Sequence, residues 1–416
     1  MQIPEIYDHY KAVTSPVKSW KAGGHTWHAL HEQNCEIVKL ELVFDVGTAD
    51  QEKSLQANFT SNLLLEGTSS NNALEFSRKL DELGAYFSSE CGRDYTSFTL
   101  HVLAQQLKKA LAIVGEIFRS PALTQEEFDN YLFEAKEEFK HNCAQTPFLA
   151  KQKLRKLLYA NHPYGQVAEA SSFEKIQLSD IDRFAKAHFI HHSCQIFVSG
   201  NASESTCRTI SNFLTIDQPS ISAKRNPQPF KGIAGRQIIH HPNAQQDSVR
   251  LGIRFPESNH ADFLPLNLLS SVLGGYFGSR LMQNIREEKG LTYGIGSSIL
   301  PGLHGNALMI SSDVKQGSGP LTVDEIEKEF KRLQDEEISL TELNQACSYL
   351  KGNLLRSFDG VFEQMDRYQS LVLNQLNQDH YDQYFELLNK PNSIALRELA
   401  QKYLNASEFT VVIAQQ

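Results

Sequence analysis

Val249-Arg250-Leu251-Gly252-Ile253-Arg254-Phe255 repeats a pattern first met at Val38, Leu40, Leu42, Phe44 and Val46. In both places apolar residues alternate with mostly polar ones, which is how a strand with one buried face reads. Working outward from this pair, the whole chain reads as one plan written twice, with a period of about 210 to 217 residues. Each strand runs into an apolar stretch of helix length, 55–65 and then 263–273. A second helix follows each, 73–83 and 279–289, and each ends at a glycine, Gly84 or Gly290, placed where a left-handed C-cap is expected. Extended segments containing aromatics come next, Ala85-Tyr86-Phe87 and Leu291-Thr292-Tyr293. Leu123-Thr124-Gln125-Glu126 then answers to Leu340-Thr341-Glu342-Leu343, each opening a long helix. Both copies close with a helix and a short apolar strand, 179–188 with 196–198 and 393–404 with 411–413. The copies are assigned to residues 1–218 and 233–416. Pro219, Pro227 and Pro229 mark 219–232 as the joining segment. The expected class is α+β, with two homologous halves, each a largely antiparallel sheet packed with helices.

The 416 residues carry a net charge of −9 and no long basic run, which argues against a nucleic-acid partner. Nowhere do 18 apolar residues run together, and Met1-Gln2-Ile3-Pro4-Glu5 has neither a basic nor an apolar leader character. No membrane association is expected. The expected place is the cytoplasm, with the periplasm as the alternative if a leader has been removed. Cys35, Cys91, Cys143, Cys194, Cys207 and Cys347 form no C-x-x-C pair and are expected to be reduced and mostly buried.

The order strand, Gly47-Thr48, helix, then Leu65-Glu66-Gly67-Thr68 resembles the start of the pitrilysin and insulinase type zinc peptidases. Insulin-degrading enzyme and mitochondrial processing peptidase belong to that family, and the resemblance covers almost the whole chain. It implies the LuxS and processing-peptidase type of fold, with the halves arranged as a clam-shell. In that family the helix carries H-x-x-E-H, two histidines that bind zinc and a glutamate that acts as general base. The matching positions here are Asn58, Phe59, Thr60, Ser61 and Asn62. Amides are poor zinc ligands, and Ser61 cannot take a proton near neutral pH as a carboxylate can. No metal or other cofactor is expected in this chain, and zinc is expected in a partner subunit. The family's third ligand falls about 75 residues further on, where Glu137, Glu138 and His141 are all open.

Leu273-Gly274-Gly275-Tyr276-Phe277-Gly278-Ser279-Arg280-Leu281, followed by Arg286-Glu287-Glu288-Lys289-Gly290-Leu291-Thr292-Tyr293, is similar to the family's C-terminal-domain signature. There an arginine and a tyrosine reach across to the zinc site. The resemblance implies that Arg286 and Tyr293 are catalytic in concert with a partner's zinc site. The expected function is the non-zinc subunit of a heterodimeric metallopeptidase that cleaves peptides in a shared chamber. Its partner would be a homologous zinc-bearing subunit, or a second copy in that subunit's absence. The alternative is an inactive paralogue, either structural or peptide-binding.

Simpler readings stand beside these. Arg286 could be a solvated residue at a helix end, and Tyr293 a core aromatic with a wet hydroxyl. The glycines 274, 275 and 278 lack the G-x-G-x-x-G order of a phosphate loop and fit a bend or close backbone approach better. His25, His28 and His31 lie on a strand, where a spacing of three alternates faces, and read as structural. His188, His191 and His192 read as surface side chains, and His162-Pro163-Tyr164-Gly165 as a loop that marks fold rather than chemistry. The acidic helix 126–138 reads as a solvated face. Segment 95–103 occupies the place of a substrate-pairing edge strand in relatives, and in a zinc-less half it is expected to serve the core or an interface.

Overall fold

The computed structural model describes residues 16–214, 228–242 and 244–416. The N-terminal pentapeptide and most of the expected joining segment fall outside the described residues. The first half holds β1 (Lys18–Ala22), β2 (His25–His31), β3 (Ile37–Phe44), α1 (Gln56–Leu63), β4 (Gly67–Thr68), β5 (Asn71–Asn72), α2 (Ala73–Glu82), β6 (Tyr86–Cys91), β7 (Thr96–Leu103) and α3 (Leu107–Val114). It continues with α4 (Gln125–Cys143), α5 (Thr146–Tyr159), α6 (Ser172–Lys175), α7 (Leu178–His188), β8 (Gln195–Gly200) and α8 (Glu204–Leu214). The second half holds β9 (Gly235–His240), β10 (Gln246–Phe255), α9 (Phe263–Ser270), β11 (Thr292–Leu300), β12 (Asn306–Lys315) and α10 (Gly319–Asp335). It ends with α11 (Leu340–Arg356), α12 (Val361–Leu373), α13 (His380–Asn389), α14 (Ser393–Tyr403) and β13 (Thr410–Gln415).

The two main sheets run in the orders β1-β2-β8-β3-β7-β6 and β11-β12-β10-β13-β9. Reversing the second and aligning it on the first matches β2 with β9, β8 with β13, β3 with β10, β7 with β12 and β6 with β11. The one parallel pairing in each sheet, β2 with β8 and β9 with β13, falls at the matched place. The repeat read from the sequence is therefore a repeat of topology. Gly84 and Gly290 close their helices at φ of 60° and 57°, as the C-cap reading requires. β7 is internal, with Thr96, Phe98, Leu100 and Val102 buried, so segment 95–103 serves the core; the edge on its side of the sheet is β6 and the other is β1.

Each sheet packs one face on its own helices, around Val38, Leu40, Leu42 and Phe44 in one half and Val249, Leu251 and Phe255 in the other. The strands were expected to have a single buried face, and here the structure differs. A helix from the opposite half covers the second face of each sheet. Ala150, Leu154 and Leu158 of α5 pack with Ala307, Val412 and Ala414 of the second sheet. In return Met365 of α12 packs with Leu30, Val43 and Phe197 of the first. The polar residues of β3 that looked solvated serve this contact: Lys39 pairs with Asp366, and Glu41 accepts a hydrogen bond of 2.9 Å from Gln369.

A polar junction adds to the joint. The Tyr164 hydroxyl donates to Asp94 at 2.5–2.6 Å, both residues being buried, and Leu303 N–H donates to the same carboxylate at 3.2 Å. The Arg93 guanidinium lies 4.7 Å from the Tyr164 ring centroid and donates to the Pro301 carbonyl at 2.8 Å. Among the described residues no helix is long and apolar enough to cross a membrane. All six cysteines are free, but only Cys194, Cys207 and Cys347 are buried; Cys35, Cys91 and Cys143 sit in a loop or at an element's end and are half-exposed, so fewer are buried than expected.

His25 and His28 are buried on opposite faces of β2. His28 stacks on Phe197 at 4.6 Å, whereas the His25 ring lies between the Leu214 carbonyl, 2.7 Å from Nε2, and the Cys194 N–H, 3.2 Å from Nδ1. That pair of contacts suits the neutral ring with its proton on Nε2. Burial holds the pKa of His25 below its ordinary value of 6.5. The unfolded chain then takes up the proton first as pH falls, so the stability contributed by the neutral ring is present above pH 6.5 and is lost as pH falls below it. Urea unfolding of His25→Asn at several pH values should show a flatter dependence below pH 6.5 than the unaltered chain; an equal slope would contradict this reading.

Candidate functional site

The helix α1 carries the positions at which a zinc motif would stand. Ser61 is buried, and its hydroxyl donates to the Asn58 carbonyl at 3.0 Å. Asn62 donates through Nδ2 to the same carbonyl at 2.9 Å and to the Tyr131 hydroxyl on α4 at 3.0 Å. Asn58 itself is exposed. These bonds hold the Asn62 amide in place; its neutral carbonyl oxygen, which faces the Ser89 hydroxyl at 3.5 Å, is a weak zinc ligand beside an imidazole, and Ser61 is turned back onto its own helix. These residues do not fit zinc. Among the described residues no group of three or more His, Cys, Asp or Glu side chains is gathered to hold a metal ion.

The structure also separates the three candidates left open on α4. Glu137 pairs with Lys140 along the helix, and His141 meets the Gln145 amide at 3.0 Å. Glu138 lines a cavity of about 370 Å³ together with Asn58, and so is the one that shares its space with the motif positions. Every wall of that cavity comes from the first half, between Thr48 and Phe173.

In the second half, the helices expected at 263–273 and 279–289 are not regular. The first is α-helical only to Ser270 and continues as a wide π-helical turn, Ser271–Gly275; the second is π-helical over Met282–Glu288. In the first of them the irregularity has a local cause at Gly274, whose φ of −157° breaks the helix and where a Cβ would lie 2.7 Å from the Ser297 nitrogen. Close approach to β11 is thus what the glycine permits, as expected from the sequence. Wide turns of this kind are uncommon and gather at functional sites.

The second π-turn presents Arg286. Its guanidinium lies 4.5 Å from the Phe277 ring centroid and 2.6 Å from the Glu287 carboxylate. Behind it, the Asn284 amide donates to Glu329 at 2.7 Å, and Lys289 pairs with Glu325 at 3.3 Å, both carboxylates being buried on α10. Burial alone would raise the pKa of Glu325, but hydrogen bonds from Lys328, Lys289 and Asn284 outweigh it and hold the carboxyl below its ordinary range. Tyr293 stands at the start of β11, where pairing with β12 is irregular, and is 93% exposed. The reading of Tyr293 as a core aromatic fails, because its whole ring is in solvent.

Arg286 and Tyr293 therefore stand on one braced turn and the strand after it, while Asn58, Ser61 and Asn62 stand on another half. Neither Arg286 nor Tyr293 lines the cavity beside Asn58, so the two constellations do not meet in that cavity. Two features escaped the sequence. Phe277, 65% exposed beneath Arg286, had as its only signal an aromatic set among glycines. Lys151 and Arg155, which line the cavity from α5, had none.

Comparison with known proteins gives a consistent result. Residues 28–170 match the family model for insulinase, peptidase family M16, and residues 175–350 match that for the peptidase M16 inactive domain. An uncharacterized zinc protease of Rickettsia bellii is 25% identical over 325 residues, 76% of this chain and 77% of its own. The non-peptidase homolog YmxG of Helicobacter pylori is 24% identical over 251 residues, 59% of this chain and 58% of its own. In fold, the chain is similar to a peptidase M16 inactive domain from Pseudomonas fluorescens, with a TM-score of 0.85 at 22% identity over 96% of this chain and 98% of that one.

Proposed function

The chain belongs to peptidase family M16, the insulinase family, and on that premise we propose that it is the zinc-free subunit of a paired peptidase, lending Arg286 and Tyr293 to a chamber whose metal a homologous partner holds. One observation carries the reading. Tyr293 is 93% exposed with no hydrogen-bond partner for its hydroxyl among the described residues, beside an arginine whose turn is braced from behind by buried carboxylates. A braced turn with two good donors, neither of them lining the first half's cavity, suits donors that serve another chain.

The chemistry follows from the donors. An amide carbonyl under attack gains negative charge, and a fixed O–H or N–H aimed at that charge lowers the barrier. The Tyr293 phenol can supply one such bond. The Arg286 fork can hold a second carbonyl, or a carboxylate, through parallel N–H groups. A pair of identical copies would set these donors against Asn58, Ser61 and Asn62, which have no base to offer. Mixing the purified chain with an H-x-x-E-H subunit from the same organism should give co-elution on size exclusion and cleavage of a fluorogenic peptide that neither chain cleaves alone. Absence of cleavage in a co-eluting mixture would sink the proposal.

A second reading, a non-catalytic scaffold or peptide-binding paralogue, is favoured by the match of residues 175–350 to an inactive domain and by the lock of Asn62 onto Tyr131. It differs in its consequence: a scaffold would run as part of a larger assembly in light scattering, and Arg286 and Tyr293 would be dispensable there.

A further inference from the structure

We infer that the cavity beside Asn58 binds a carboxylate carried on a short apolar body, as presented by the C-terminus of a peptide that ends in a hydrophobic residue. The inference concerns the first half alone and does not rest on the paired-peptidase reading.

Its centre is Arg155. The side chain is half-buried, its Nε donates to the Tyr164 carbonyl at 2.6 Å, and it lines the cavity. Among the described residues no carboxylate pairs with it. Arg250 and Arg280, buried to a similar degree, hold Asp313 at 2.9 Å and Glu342 at 2.7 Å. A cation withdrawn from water without an opposite charge is costly and is seldom kept without use. Burial and the nearby like charge of Arg93 both weaken the hold of Arg155 on its proton, in keeping with a site short of one negative charge. With Nε fixed on a carbonyl, the two terminal nitrogens remain for a bidentate acceptor, which is carboxylate geometry. Lys151 lies one helical turn before Arg155 on α5 and lines the same cavity, adding a second positive charge on that wall.

The rest of the cavity defines what carries the carboxylate. Phe59, Phe148 and Phe173 give it an aromatic wall. A volume of about 370 Å³ sits at the small end of ligand sites, which run from about 300 to 1,000 Å³, enough for one or two residues. Glu138, on α4, is the acidic lining group; it disfavours a second acidic group and can accept main-chain N–H bonds from a peptide.

The test is calorimetric titration of the full chain with N-acetyl-alanyl-phenylalanine as the free acid and as its C-terminal amide. The acid should bind saturably and the amide roughly 10- to 100-fold more weakly, the worth of a charge-assisted pair. Arg155→Gln should bring the acid down to the affinity of the amide and leave the amide unchanged. Lys151→Gln, at an exposed position, should weaken the acid by a smaller factor, and with the acid-amide comparison it decides the matter if Arg155→Gln does not fold by circular dichroism. Equal affinity for acid and amide, no saturable binding at millimolar ligand, or full affinity in both variants would overturn the inference. An amidated peptide with an internal glutamate that bound as tightly as the free acid would overturn the assignment to a chain end.

Discussion

Tyr293→Phe is expected to lower kcat of the paired peptidase by roughly 100- to 1,000-fold, the usual consequence of removing one donor from a developing oxyanion. The expectation is clean because the substitution removes a single oxygen from a ring that is 93% exposed. No packing is lost, and surface changes of this kind stay within about 0.5 kcal/mol of the parent stability. A fall in turnover would therefore report on chemistry and not on folding. KM should change little, since a donor that acts only on the transition state contributes nothing to ground-state binding. Arg286→Ala should act at least as strongly but less simply, because it also removes the cation that covers Phe277 at 4.5 Å. Arg286→Lys keeps the charge and loses the fork, so partial recovery is expected. Steady-state kinetics on a fluorogenic peptide, with thermal melts of each variant alongside, would check this; turnover unchanged in Tyr293→Phe and Arg286→Ala alike would remove the catalytic role of both.

Leu154→Ala should cost about 2–5 kcal/mol, the range for deleting a large apolar side chain from a closed core. Leu154 has no measurable exposure, yet the sheet it packs on belongs to the other half. The expected signature is a shift of one cooperative transition in urea, with fluorescence and circular dichroism moving together, because the helix that is loosened is shared. Two separated transitions, or a loss well below about 2 kcal/mol, would show that α5 does not bind the halves as described.

The sequence displayed the repeat because strand alternation and glycine caps are local signals: Val38 to Phe44 and Val249 to Phe255 needed no partner to be read. What it concealed was set at long range. Lys39 and Glu41 look like solvent-facing residues until Asp366 and Gln369, 327 and 328 residues away, close over them. The break at Gly274 that ends the first of the two irregular helices follows from its close approach to a strand more than 20 residues on, which a glycine pair can only hint at. The loss of the zinc motif was legible position by position in Asn58, Ser61 and Asn62. The missing counter-charge of Arg155 was not, since an absent neighbour leaves no mark on a sequence.

The exchange of α5 and α12 bears on why the two halves belong to one chain. A single half would leave Leu30, Val43 and Phe197, or their counterparts, open to water along one whole sheet face. A unit of this kind closes its core only beside another unit. Carrying both halves on one chain keeps each sheet face covered at any protein concentration, because a tethered neighbour cannot diffuse away.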